Sequence, residues 1–459
     1  MPAVRTVHVC QQCGAETPRW SGQCPSCQAW NTLVETVVAR PTAARTTRGP
    51  GSVAALPVGT VSPITEVSSA EAERLVSGIG EVDRVLGGGF VPGSIVLFGG
   101  DPGIGKSTLL LQLAARLAVA GGSVLYITGE ESAAQVRGRA ERIGAVTGGL
   151  ALVATTELST ALGAIGSEAP TLAVVDSVQT LAAEELNGPA GSVGQVREVA
   201  ARLAEIAKAG RTCVALVGHV TKEGTVAGPR TLEHLVDAVI YLEGERLGST
   251  RLIRAAKNRF GSTDEVGVLE MRSEGLVEVA DASRFFLESE QPPVAGSAIT
   301  IALEGTRPLA VEIQALVAPS GAGSPRRATT GIDVSRVLML IAVLARHAGL
   351  NLTGHDVYVN VAGGLRIEEP AADLAVAMAL ASSLRERPVR AGTVLAGELS
   401  LAGRIRQATR AGRRLTEARR LGFETLITGP AHGRDGAADR HLVAAIDVRE
   451  AVRLALEGS

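Results

Sequence analysis

Aromatic side chains make up only 2% of this 459-residue chain, which argues against stacking bases on a row of rings as a general way of holding nucleic acid. An excess of one charge is missing too: 45 Lys and Arg face 47 Asp and Glu, a net charge of −2. Any contact with DNA has to come from a local patch. The five cysteines are too few to build a protein of this size on disulfides. Long apolar runs are absent as well. The greasiest stretch, Val337 to Ala345, ends at Arg346, and the N-terminal MPAVRTVHVC has no apolar core of signal-peptide length. The expectation is a soluble, cytoplasmic chain with no membrane partner. What is present is 46% apolar residues and 54 glycines, enough for two or three domains with their own cores.

Composition divides the chain into a cysteine module at 1–37, a Pro/Thr/Ser/Gly/Ala-rich linker at 38–69, and two larger regions at 70–287 and 295–459. In the first large region, short apolar runs at Ser94–Phe98, Val124–Thr128, Leu172–Asp176 and Thr212–Val217 alternate with helical patterns at Thr108–Ala120, Ala133–Ile143 and Val193–Ala209. That alternation predicts an α/β domain, a mainly parallel sheet covered by helices. Past the break ESEQPPVAG the pattern is mixed. Strands are expected at Ile299–Leu303, Ala310–Leu316 and Val357–Val361, with helices at Asp333–His347 and Ala372–Arg385.

Cys10, Cys13, Cys24 and Cys27 read C-x2-C-x10-C-x2-C, two knuckles whose sulfurs can converge on one ion, for which zinc fits best. Redox pairs or unrelated buried thiols are the alternative. Trp20 and Trp30 are expected to cap so small a core, and metal binding would supply its folding energy. Cys213, in the apolar run TCVALVG, reads as a small core residue.

Gly100, Asp101, Pro102, Gly103, Ile104, Gly105, Lys106 and Ser107 match G-x-x-x-x-G-K-[ST] between the apolar run SIVLF and a helix that opens at Thr108. Glycines let backbone N–H groups close around phosphates, Lys106 reaches the outer ones, and Ser107 offers an oxygen to magnesium. The apolar run LAVVD ends in Asp176, suited to the magnesium shell, although an N-cap would use the same residue. At the end of LYITGEE, Glu130 is a candidate to orient the attacking water. The residues alone do not choose between it and Glu131.

The four-cysteine module, GGDPGIGKSTLLLQ, YITGEES, VVDSVQT, GHVTKEG and the segment Lys257-Asn258-Arg259-Phe260-Gly261 together resemble the bacterial RadA (Sms) family, over nearly the whole chain apart from the linker. The resemblance implies a RecA-like P-loop ATPase core behind the zinc module and a C-terminal α+β domain similar to the proteolytic domain of Lon. It implies ATP with magnesium and zinc, a DNA-dependent ATPase motor of recombination and repair acting on single-stranded and branched DNA, a homo-oligomeric, hexameric ring, and a recombinase of the RecA type as partner. It favours Glu130 over Glu131, makes His219 the γ-phosphate sensor, and has Lys257 and Arg259 reach a neighbouring subunit's nucleotide. Read without it, Lys257 and Arg259 would pair with carboxylates such as Asp264 and Glu265.

Where Lon carries its nucleophilic serine, this chain has Ala371 in EPAAD, and Thr409-Arg410-Ala411-Gly412 replaces the lysine-bearing turn. A scaffold without proteolysis is expected. Arg404, Arg406, Arg410, Arg413, Arg414, Arg419 and Arg420 crowd into one segment, either a DNA-phosphate surface or a solvated helix. An ATP-dependent protease, opposed by Ala371, and a nucleotide-gated clock or signalling ATPase of the same RecA-like class, opposed by the zinc module and KNRFG, remain as competing readings.

Overall fold

The structure, a computed structural model, describes residues 4–10, 15–30, 32–39, 74–218, 232–244, 248–287, 293–321, 324–430 and 439–457. Beyond the two strand residues 38 and 39, the expected linker lies outside them. The chain divides into two compact units, one of Met1–Leu242, Ala255–Ser262 and Ser273–Gly275, the other of Glu243–Arg254, Thr263–Arg272 and Leu276–Ser459.

The first unit begins with a ribbon. β1 (Val4–Cys10) pairs antiparallel with β2 (Glu16–Thr17) on one side and β3 (Leu33–Ala39) on the other. After a short helix, α1 (Gly80–Leu86), strands and helices alternate as the apolar periodicity predicts: β4 (Ile95–Gly100), α2 (Lys106–Val119), β5 (Val124–Thr128), α3 (Ala133–Arg142), β6 (Leu150–Ala154), α4 (Leu158–Glu168), β7 (Leu172–Asp176), α5 (Val193–Gly210), β8 (Cys213–Val217) and β9 (Ala238–Glu243).

These strands lie in the order β9-β4-β8-β7-β5-β6 with every neighbouring pair parallel. β4, β5, β7 and β8 are buried along their whole length, as expected of a sheet covered on both faces. α5 buries Val193, Val196, Val199, Ala200, Leu203 and Ala207, a helical stripe facing the core. The order places β8 and β7 between β4 and β5, so the loops leaving the carboxyl ends of β4, β5 and β7 share one edge, where open α/β sheets bind ligands.

In the second unit, Thr250–Arg254 of β10 (Thr250–Asn258) pair antiparallel with β11 (Val266–Arg272), which is followed by β12 (Gly275–Glu278). β13 (Ser297–Glu304), β14 (Arg307–Pro319), β15 (Arg327–Thr330) and β16 (His355–Val361) then form a sheet in the order β13-β14-β16-β15. The helix Asp373–Arg385, buried from Asp373 to Ser382, packs against β14.

Candidate nucleotide and metal sites

Gly100 ends β4 with φ 150°, and a Cβ there would stand 2.4 Å from the Leu242 carbonyl oxygen. Only glycine lets the two backbones come so close. Gly105, at φ 113°, precedes α2, whose N-terminus has no side-chain cap and no acid in its first turn. Uncapped N–H groups at a helix start are donors for an anion. Lys106 is buried, and its Nζ donates to the carbonyl oxygens of Gly100 at 2.9 Å and Asp101 at 3.0 Å. Burial lowers its pKa, against the opposing pull of Asp176, Glu130 and Asp101.

β5 and β7 run side by side with Thr128 opposite Asp176, and the Gly129 N–H donates to the Asp176 carbonyl at 2.9 Å. Asp176 is 4% exposed. Its Oδ2 accepts from the Tyr126 hydroxyl at 2.6 Å and lies 3.9 Å from Arg139 Nη2. Its Oδ1 is buried with no hydrogen-bond partner among the described residues. A buried carboxylate oxygen left open, in the electrostatic neighbourhood of Lys106, suits a hard cation that takes oxygen ligands, and the Ser107 hydroxyl is the second candidate ligand.

The adjacent glutamates are unequal. Glu131 Oε2 pairs with Arg139 Nη2 at 2.5 Å, and the Glu131 N–H donates to Thr128 Oγ1 at 3.1 Å. Glu130 Oε1 accepts from Ser177 Oγ at 2.5 Å, and its charge acts on Lys106. Burial, with Asp176 adding to it, raises the Tyr126 pKa well above its ordinary value, so it stays a phenol. Tyr126, Arg139 and Ser177 were not singled out from sequence. The available signal was a tyrosine inside the otherwise apolar buried run VLYI, since a buried hydroxyl needs a partner.

Lys257 and Arg259 form a separate cluster. Lys257 Nζ donates to the carbonyl oxygens of Glu233 and Val236, and Arg259 Nη1 pairs with Asp237 Oδ1 at 3.2 Å. Asp237 Oδ2 accepts the N–H of Ile95 at the start of β4, at 3.1 Å. Of the expected alternative partners, Glu265 is engaged elsewhere, accepting from Thr306 Oγ1. Asn258 accepts from the Phe260 N–H at 2.9 Å and donates to the Val85 carbonyl at 3.2 Å, which pins the loop. His219 lies outside the described residues.

In the ribbon, Cys10, Cys24 and Cys27 bring their sulfurs within 4.8 Å of one another. Cys13 lies outside the described residues. The first cysteine of each knuckle makes the same turn, Cys10 N–H to Ala15 and Cys24 N–H to Ala29, both at 2.9 Å. The Cys10 and Cys27 sulfurs are 3.6 Å apart, far beyond a disulfide bond of about 2.05 Å and close to the roughly 3.8 Å edge of a tetrahedron with Zn–S bonds of about 2.3 Å. The set fits zinc. One expectation fails: Trp20 and Trp30 do not cap the core but are 60% and 71% exposed, because sulfurs joined through a metal leave so small a module little apolar interior to fill.

The arginine segment also departs from expectation. Arg414 is fully buried. Its guanidinium is bidentate to Glu369 and donates to the carbonyls of Thr409 and Ile301. Arg419 pairs with Asp439, Arg420 with Asp281 and Glu417, and Arg406 with Glu398. Much of the charge that the sequence offered to DNA is therefore neutralised within the unit. Ala371 is 5% exposed, in a cluster with Ile301, Ala310, Val394, Ala396 and Ala408.

A profile for a rubredoxin metal-binding domain matches residues 8–35, one for an AAA domain residues 62–225, and one for subunit ChlI of Mg-chelatase residues 328–431. The DNA repair protein RadA of Bacillus subtilis is 47% identical over 100% of both chains. That of Halalkalibacterium halodurans is 47% identical over 93% of both, and that of Listeria monocytogenes 47% identical over 92% of this chain and 91% of its own. A crystal structure of the RadB recombinase aligns at 21% identity and a TM-score of 0.35, covering 45% of this chain and 99% of that one, too distant a likeness to carry weight. Identity near one half, sustained from end to end of both chains, makes the assignment: this chain belongs to the RadA family.

Proposed function

We propose that the protein is a DNA-dependent ATPase of DNA repair and homologous recombination, built as a hexameric ring motor that moves on or branch-migrates recombination intermediates. The observation that carries this reading is the convergence of Lys106, Asp176 and Glu130 beside an uncapped helix start. Lys106 exchanges its loop carbonyls for the β- and γ-phosphates of ATP. Ser107 and Asp176 Oδ1 hold magnesium, which neutralises charge on the phosphates when bound. Glu130, oriented by Ser177, positions the attacking water, while Glu131 is committed to Arg139. His219 reports the state of the γ-phosphate. Lys257, held at the Glu233 and Val236 carbonyls in the single chain, and Arg259, held at Asp237, serve the nucleotide of an adjoining subunit.

Zinc on Cys10, Cys13, Cys24 and Cys27 holds the ribbon. Residues 38–69 link it to the ATPase domain at 70–287, and residues 295–459 are a Lon-protease-like scaffold without peptidase chemistry, a reading supported by the burial of Ala371 in an apolar cluster. The partners are single-stranded and branched DNA, further copies of the chain and a recombinase of the RecA type, in the cytoplasm. ATP turnover with and without single-stranded DNA tests the reading. A motor is stimulated by DNA, whereas stimulation by unfolded casein, with cleavage of it, would point to the protease.

A further inference from the structure

We propose that Tyr126 is a positioning residue for magnesium: its hydroxyl, helped by Arg139, fixes Asp176 so that Oδ1 is the oxygen presented to the metal. The inference rests on the reading of Asp176 as a magnesium ligand. The sheet makes the contact possible. Thr128 and Asp176 are register partners in β5 and β7, and Tyr126, two residues before Thr128, lies on the same face. Tyr126 is fully buried among apolar neighbours in β5. A phenylalanine would fill nearly the same space there, so packing does not require the oxygen.

The hydroxyl meets Asp176 Oδ2 at 2.6 Å, the length of a hydrogen bond strengthened by the carboxylate charge. Arg139 Nη2 stands 3.9 Å from the same oxygen and is held by Glu131 at 2.5 Å. One oxygen of Asp176 is thus engaged from two sides, while the other is buried without a hydrogen-bond partner among the described residues. A half-turn of the carboxylate only interchanges two equivalent oxygens, and any smaller rotation gives up the phenol, so one oxygen stays on Tyr126 and the other stays open. Such outer groups fix the orientation of metal ligands, and their loss typically weakens metal binding about 10- to 100-fold.

The test is a magnesium titration of fluorescent ADP binding to the full-length protein, repeated in EDTA, for the unaltered chain, Tyr126→Phe and Asp176→Ala. For Tyr126→Phe, half-saturating magnesium should rise about tenfold while affinity in EDTA stays unchanged. A magnesium response within twofold of the unaltered chain overturns the proposal, and so does an equal fall in affinity in EDTA, which would mean that the hydroxyl serves only packing. If Asp176→Ala loses its magnesium response and Tyr126→Phe keeps it, the positioning role fails and the ligand role of Asp176 stands. If Asp176→Ala itself responds normally, the magnesium reading falls first. Should Tyr126→Phe melt early, Arg139→Gln goes through the same titration, where a several-fold rise supports the proposal and an unchanged response overturns it.

Discussion

Arg414, fully buried, forms a bidentate ion pair with the partly buried Glu369, which also accepts the Leu303 N–H at 2.8 Å. Removing Arg414 takes away a fully buried side chain and leaves the partly buried Glu369 carboxylate with only the Leu303 N–H, at a cost of up to about 3–5 kcal/mol. Arg414→Ala should therefore lower the denaturant midpoint of the second unit strongly. The exposed neighbour replaced in Arg413→Ala should change stability by less than about 0.5 kcal/mol. Equal unfolding curves for the two variants would contradict the role given to Arg414.

Lys106→Ala should reduce ATP turnover by about a hundredfold or more, since a cation preorganised beside the phosphates is lost. The far-ultraviolet spectrum and the zinc content should not change. Normal turnover would remove the nucleotide site from this loop.

Cys24→Ser should abolish stoichiometric zinc, normally one ion per chain, and unfold the ribbon alone. ATP hydrolysis should persist. Metal analysis of protein purified under reducing conditions, with a DNA-free ATPase assay on the same sample, checks both halves.

Inactive Lys106→Ala chains mixed with inactive Arg259→Ala chains should regain activity if Arg259 serves a neighbour's nucleotide, because some interfaces then join an intact loop to an intact arginine. Mixed oligomers without any recovery would place Arg259 in service within its own chain.

Asp281 is held at a pKa of about 2, chiefly by its paired hydrogen bonds from Arg420. A carboxylate with a depressed folded-state pKa stabilises the fold above its unfolded value, and that contribution fades as pH falls through the folded one. Stability should therefore decline between about pH 4 and pH 2, and Asp281→Asn should flatten that decline. Acid-unfolding curves that superpose would refute the contribution.

The parts legible from sequence were those set by neighbours along the chain. The run SIVLF, the loop Gly100–Ser107 and the helix behind it form one contiguous signal, and strand and helix stand where the periodicity put them, within a few residues. The choice between Glu130 and Glu131 was not local. It turns on Arg139, one face of a later helix, and on Ser177, at the end of a strand paired only in the folded sheet. Arg414 shows the same limit more sharply. In GRIRQATRAGRRLTEARR it is one arginine among many, and only Glu369 and the Ile301 carbonyl, both remote along the chain, take it inside. Composition likewise could not tell whether Trp20 and Trp30 face in or out, because a metal-held module folds with hardly any core.

The burial of Ala371 bears on how far this interior tolerates polar substitution. A serine placed at this position would lay its hydroxyl in a cluster of Ile301, Ala310, Val394 and Ala396, where a hydroxyl without a partner costs roughly 1–3 kcal/mol. The turn Pro370–Ala372 begins at Glu369, so a shift of this packing would be felt at the ion pair of Glu369 with Arg414. Other small apolar side chains can repack this interior, whereas a lone polar substitution there is destabilising until a partner for it arises as well.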